Sequence, residues 1–250
     1  MATDRPLDFL IAGVQKGGTT ALWHFLSQHP AVCFGSKKEL HFFDDERLDW
    51  SAPPYDALHA EFADAPPGSV CGDATPIYSY WVPSMARIAA YNPDIKLIFS
   101  FRDPVARAYS HWRMEVSRGA EQLSFSEAIR EGRARVAREA QISGCHRVYS
   151  YVERGFYAEQ LDRVFEHFPK EQVLLLRQAD LDRDQAQVLD ETFGFLGVAP
   201  LAEPPEKEWV FSYDKPEFAG ISDEDRSFLE ELYAPDRQRL KSEYGLDLSG

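Results

Sequence analysis

The sequence predicts an α/β fold: a single domain, residues 1–250, with a central parallel β-sheet flanked by helices. Three observations predict it. The short apolar runs Leu7–Val14, Lys96–Phe101 and Gln172–Arg177 read as buried strands. Helical patterns lie between them, which argues for parallel pairing through crossover helices. A length of 250 residues suits one α/β unit and buries enough surface to need no disulfide or metal staple.

The elements follow in order. Leu7–Val14 (LDFLIAGV) ends in a glycine-containing turn. Thr19–His29 carries Ala21, Leu22, Phe25 and Leu26 at helical spacing, and Pro30 stops it. Val70–Asp73 is a short strand and Pro83–Tyr91 a helix. Lys96–Phe101 (KLIFSF) is the second strong strand. Pro104–Ser117 is helical, with proline at a first-turn position. Tyr151–Phe168 is an amphipathic helix bearing Phe156, Leu161, Val164, Phe165 and Phe168. Gln172–Arg177 (QVLLLR) is the third strand, and Gln185–Leu196 and Ser222–Tyr244 close the chain as helices. In such sheets ligands sit at the carboxyl ends of the strands.

Composition excludes several classes. Apolar residues make up 44% and charged residues 27%, which rules out global disorder, collagen and coiled coil. A net charge of −14 argues against nucleic acid or an anionic membrane as partner, since both are bound through Lys and Arg. Cys33, Cys71 and Cys145 are too few and too scattered for a disulfide framework or a zinc site. No secretory signal opens the chain and no apolar stretch is long enough to span a bilayer. A cytoplasmic protein without a transmembrane segment is expected. Charge is uneven: residues 180–250 hold 18 acids and 7 bases, whereas 113–154 hold 8 arginines and 6 acids. Solvated helix faces explain both, and a border with an anionic ligand is the sharper alternative for the arginines.

Gly13-Val-Gln-Lys-Gly-Gly-Thr-Thr20 joins the first strand to the first helix and is built for phosphate. Gly17 and Gly18 let backbone N–H groups turn toward an anion, and the helix N-terminus adds positive potential. Thr19 and Thr20 offer hydroxyls, and Lys16 a mobile charge. A Walker A loop anchored on Gly13 would need lysine where Thr19 stands, so the Lys-Ser/Thr pair that serves Mg²⁺ is missing.

The run FLIAGVQKGGTTALWHFLSQHP resembles the 5′-phosphosulfate-binding loop of sulfotransferases that use 3′-phosphoadenosine 5′-phosphosulfate (PAPS). It is most similar to the branch containing heparan sulfate sulfotransferases and bacterial relatives. The resemblance implies the P-loop-like fold of PAPS sulfotransferases, PAPS as donor, adenosine 3′,5′-bisphosphate as product, and no metal. It covers residues 7–200 well and the last fifty thinly.

Other segments agree. Phe101-Arg-Asp-Pro-Val-Ala-Arg-Ala-Tyr-Ser-His-Trp112 follows the second strong strand and resembles the family's 3′-phosphate motif, an arginine with a serine eight residues on, here Arg102 and Ser110. Such a pair binds phosphate by charge and hydroxyl. In Lys37-Lys-Glu-Leu-His-Phe-Phe-Asp44 an extended chain would point Glu39 and His41 to one side as a proton-handling pair. The stretch resembles the family's Glu-x-His-Phe-Phe segment, which implies that Glu39 is the base and His41 a supporting group. Phe42 and Phe43 read as core. Gly72-Asp-Ala-Thr-Pro-Ile-Tyr78 also looks familial and implies proximity to the acceptor, but no catalytic role is carried onto Asp73 or Thr75. The block from Gly155 to Tyr157 reads as structural. One departure stands out: Trp209–Ile221 lacks the basic glycine-containing loop that many members close over the 3′-phosphate.

The expected activity is in-line sulfuryl transfer from PAPS to a hydroxyl, less readily an amine. Lys16 and the loop amides would stabilise the leaving bridging oxygen, and Glu39 would take the acceptor proton. The acceptor is a small molecule, a glycan or a carrier-bound group. A P-loop kinase of a small hydroxylated metabolite is the alternative, with Asp73 as its metal-binding acid, and a non-catalytic nucleotide-binding module is the third reading.

Overall fold

A computed structural model describes residues 5–139, 144–203, 205–206, 218 and 220–248. The elements run β1 (Phe9–Gly13), α1 (Thr19–Leu26), β2 (Val32–Phe34), α2 (Tyr55–Ala60), β3 (Val70–Asp73), α3 (Val82–Tyr91), β4 (Lys96–Phe101), α4 (Pro104–Ser117), α5 (Phe125–Arg138), α6 (Cys145–Val148), α7 (Tyr157–Phe165), β5 (Val173–Arg177), α8 (Gln178–Arg183), α9 (Gln185–Leu196) and α10 (Asp223–Tyr244). Single 3₁₀ turns lie at Glu153–Gly155 and Lys170–Gln172. The chain divides into two compact units, residues 1–101 with 161–211, and residues 102–160 with 212–250.

The first unit holds a five-stranded sheet in the order β2-β3-β1-β4-β5, with every pair parallel. The α/β expectation of a parallel sheet flanked by helices therefore holds. All five residues of β1 are buried, as its unbroken apolar run requires of a central strand covered on both faces. Phe9 and Ile11 face one core layer with Leu22, Phe25 and Leu26 of α1 and Val188, Leu189, Phe193 and Leu196 of α9. Leu10 and Ala12, pointing the other way, are also fully buried. The β1–β4 register shifts between Ile11 and Gly13, where the strand becomes the glycine loop.

The second unit is helical. Val105 and Ala108 of α4, Phe125, Ala128 and Ile129 of α5, Tyr151, Val152, and Leu229 and Tyr233 of α10 form its core. The helix expected over Tyr151–Phe168 is broken, and the reason is steric and polar. Gly155 lies against the Tyr233 ring so closely that an added Cβ would sit 2.4 Å from it. The first turn of α7 then restarts with Tyr157 N and Ala158 N donating to the Asp236 carboxylate at 2.8 and 3.1 Å. The arginine-rich middle is ion-paired within this unit: Arg130 with Glu224 and Asp225, Arg133 with Glu153 and Glu159, Arg135 with Glu121 and Glu139, and Arg138 with Glu131. Those pairs engage four of the eight arginines of residues 113–154. No described helix is long and apolar enough to cross a membrane.

Candidate active site

The glycine loop leaves the carboxyl end of β1, the strand between β3 and β4. Its geometry is dictated by close backbone approach. Val14 N donates to Ser100 O at 3.1 Å, Gly17 N to Val14 O at 2.9 Å, and Ser100 Oγ to Gly17 O at 2.6 Å. A Cβ on Gly17 would lie 2.1 Å from Ser100 O, so only glycine fits. Gly18, left-handed at φ 90°, caps α1 without a side-chain hydrogen bond, which leaves the first-turn amides for an anion. Thr19 and Thr20 open that helix. This cradle of amides, hydroxyls and lysine fits a phosphate-bearing ligand.

Glu39 and His41 do come together, though not as an extended segment would bring them. Both hold left-handed backbones, φ 64° and 57°. The Glu39 Oε2 lies 3.5 Å from His41 Nε2, and Lys38 Nζ donates to Glu39 Oε1 at 2.5 Å. His41 Nδ1 lies 3.1 Å from each oxygen of Asp44, whose side chain is fully buried. Burial acts to raise the Glu39 pKa, but the hydrogen bond with His41 and the charge and hydrogen bond of Lys38 win and hold it at about 2. Asp44 was missed from sequence; its signal was an acid three residues beyond the histidine. Phe43 is buried and Phe42 half-buried.

Lys16 is also left-handed, at φ 68°. Among the described residues, Lys16, Glu39 and His41 are the only non-glycine residues with positive φ. The three residues nominated for chemistry are thus the three that hold strained backbones.

Arg102 and Ser110 lie in the second unit. Arg102 directly follows β4, and its carbonyl accepts from Tyr157 Oη at 3.0 Å. Asp103 caps α4 by accepting from Ala106 N at 2.8 Å, and lies 3.7 Å from Arg237. Ser110 stands half-buried on α4. Of the departing segment Trp209–Ile221, all but Phe218, Gly220 and Ile221 lies outside the described residues. Among the described residues no cluster of three or more His, Cys, Asp or Glu is arranged for a metal ion.

A parallel sheet with a lysine-glycine-glycine-threonine loop at the end of its central strand defines a class of α/β domain that meets phosphate-bearing ligands at its strand ends. The chain belongs to the sulfotransferase domain family, whose model matches residues 6–216. It is 34% identical over 193 residues to heparan sulfate glucosamine 3-O-sulfotransferase 3B1 of Homo sapiens, covering 76% of this chain and 45% of that protein. It is 32% identical over 213 residues to the bifunctional heparan sulfate N-deacetylase/N-sulfotransferase 3 of Homo sapiens, covering 79% of this chain and 23% of that one. The chain thus spans about half or less of the length of these relatives. Among solved structures, a sulfotransferase from Alicyclobacillus acidocaldarius superposes with a TM-score of 0.81 at 28% identity, covering 99% of this chain and 98% of that one. The kinase alternative finds no support in these likenesses.

Proposed function

We propose that the chain transfers a sulfuryl group from PAPS to an acceptor hydroxyl, with Glu39 as base and Lys16 stabilising the leaving oxygen. The observation that carries this reading is the coincidence of strained backbone with nominated chemistry at Lys16, Glu39 and His41. Such strain costs of order 1–3 kcal/mol per residue and clusters at functional sites.

When bound, PAPS supplies a sulfuryl group whose departure leaves new negative charge on the bridging oxygen of adenosine 3′,5′-bisphosphate. In this reading Lys16 and the amides of Gly18 and the first turn of α1 hold that charge, and Thr19 and Thr20 add hydroxyl donors. Arg102 and Ser110 hold the 3′-phosphate. Glu39, ionised far below neutrality, accepts the acceptor's proton as the new O–S bond forms. His41 Nε2 stands beside it, with Nδ1 held by Asp44, ready to share the proton. The family match from residue 6 to 216 runs through both units and supports one sulfotransferase domain over residues 1–250.

The named relatives are heparan sulfate enzymes, which makes a glycan hydroxyl the first acceptor class to try. The net charge of −14 favours a shorter or less anionic acceptor than a long heparan chain. Two thiols without a disulfide, Cys33 and Cys71, suit a cytoplasmic setting.

The test is ³⁵S-PAPS transfer to a panel of glycan, phenolic and alkyl hydroxyls, with Lys16→Ala and Glu39→Gln beside the wild type. Each variant is expected to lose about 10²–10⁴ in kcat. Near-normal turnover in Glu39→Gln would remove it as the base.

A further inference from the structure

Left-handed backbones at Glu39 and His41 persist only if their surroundings hold them. The groups that hold them come from a segment more than thirty residues later. Leu40 N donates to Asp73 Oδ1 at 3.2 Å, and His41 N to Thr75 Oγ1 at 3.3 Å. Phe42 N and Phe43 N both point at Tyr78 Oη, at 3.1 and 3.5 Å. These acceptors are locked to one another. Asp73 accepts from Ala74 N at 2.7 Å, Thr75 Oγ1 at 2.7 Å and Tyr78 Oη at 3.1 Å. All three side chains are buried, with residue exposures of 2%, 0% and 0%.

The same segment also reaches the donor loop. Ser79 N donates to Ala12 O at 2.9 Å. The next residue, Gly13, sits so near Ser79 that a Cβ there would lie 2.7 Å from its Oγ. Arg163 Nη2 donates to Ser79 O at 3.3 Å and steadies this end. Residues 73–79 are therefore bonded at one end to the loop of Glu39 and at the other to the strand that carries the loop of Lys16.

We propose that Asp73, Thr75 and Tyr78 are positioning residues for sulfuryl transfer, a bracket that fixes Glu39 and His41 against the Lys16 loop. The proposal rests on the reading of Glu39 as base. Its physical content is that an in-line reaction needs the base and the leaving-group clamp at a set separation, where an error of about 1 Å can cost about 10²-fold. A buried carboxylate that merely satisfied local amides would not need a threonine and a tyrosine to carry its contacts beyond Leu40 onto the next three residues of the base loop.

The test uses Thr75→Val, Tyr78→Phe and, as the conservative rescue, Thr75→Ser, all in the full chain. Amide hydrogen exchange over residues 39–43 needs no acceptor and reads the bracket directly. Exchange is expected to quicken by about tenfold or more in Thr75→Val and Tyr78→Phe, and to return near wild type in Thr75→Ser. With ³⁵S-PAPS and a heparan sulfate oligosaccharide or p-nitrophenol as probe, kcat should fall by about tenfold or more. The affinity for adenosine 3′,5′-bisphosphate should stay within about twofold, because the phosphate cradle keeps its own bonds. Unchanged exchange overturns the bracket, as does quickened exchange with unaltered kcat, or a parallel loss of kcat and bisphosphate affinity. Glu39→Gln run alongside separates the two readings. Full turnover there sinks the base and with it the catalytic half of this proposal, whereas an inactive Glu39→Gln with unchanged exchange in the bracket variants sinks the bracket alone.

Discussion

The Glu39 carboxylate stands 3.5 Å from the His41 imidazole although neither residue lies in a strand or helix. A left-handed turn at each residue brings the two side chains together. The far nitrogen of the same imidazole faces the buried Asp44 at 3.1 Å. Lys38 completes the row from the other side of Glu39. Four charged or polar side chains within seven residues thus share one local electrostatic fate.

That fate predicts a pH dependence. Glu39 is pulled down to about 2 against an ordinary 4.5, despite burial that opposes ionisation. For a carboxylate lowered on folding, the linked stability is fully present above the unfolded value and is lost as pH falls through the folded one. The window is therefore about pH 4.5 down to 2. Activity should show no acid limb from Glu39 between pH 5 and 8. Lys38→Ala removes a lowering influence and should move the acid limb of kcat/KM upward. A profile of kcat/KM against pH checks this, and an unmoved limb in Lys38→Ala would contradict it.

Gly17 predicts a steric effect on donor binding. Gly17→Ala must push its Cβ against Ser100 O at 2.1 Å and Val14 Cγ2 at 2.8 Å. The loop has to open, and the amides proposed to hold the phosphate move with it. Overpacking of this kind costs about 1–3 kcal/mol. Calorimetric titration should show bisphosphate affinity falling by about tenfold or more, since each 1.4 kcal/mol is tenfold.

Arg102→Ala should act on the donor rather than on the chemistry. A hydrogen bond to a charged group contributes about 1.5–3 kcal/mol. The KM for PAPS should therefore rise by about tenfold to a hundredfold, with kcat changed much less. Steady-state kinetics with PAPS varied decides the point, and an unchanged KM would remove Arg102 from the 3′-phosphate.

The parts of this molecule that could be read in advance are those governed by neighbours in sequence. β1, β4 and β5 announce themselves as unbroken apolar runs because both faces of a parallel sheet are covered. The glycine loop is legible from its residue types, Gly18 serving a left-handed turn, although the demand on Gly17 comes from Ser100 of β4. β2 escaped notice because three residues, Val32–Phe34, show no period. α5 is largely polar, yet it carried a readable start: Ser124 and Glu127 form a reciprocal capping box. The break before α7 depends on Tyr233 and Asp236, about eighty residues away, which no local pattern reports. The same holds for the support of the base loop by Asp73, Thr75 and Tyr78.

Gly155 yields a prediction about stability alone. Gly155→Ala places a methyl 2.4 Å from the ring of Tyr233, which is wholly buried and donates to Val152 O at 2.9 Å. A cost of about 1–3 kcal/mol follows. Thermal melting should show the Tm lowered by about 2–12 °C, at roughly 2–4 °C per kcal/mol for a chain of this size.

As proposed, the loop from Gly13 to Thr20 binds a phosphate of adenosine 3′,5′-bisphosphate and needs no metal to do so. The most direct measurement is a thermal shift with the bisphosphate, against ADP, ATP and AMP, each with and without Mg²⁺. A ligand bound only by the folded state stabilises it by RT ln(1 + [L]/Kd), about 2.7 kcal/mol at a hundredfold excess over Kd. Selective stabilisation by the bisphosphate, unaltered by Mg²⁺, is the predicted result. Stabilisation by ATP with Mg²⁺, and none by the bisphosphate, would contradict it.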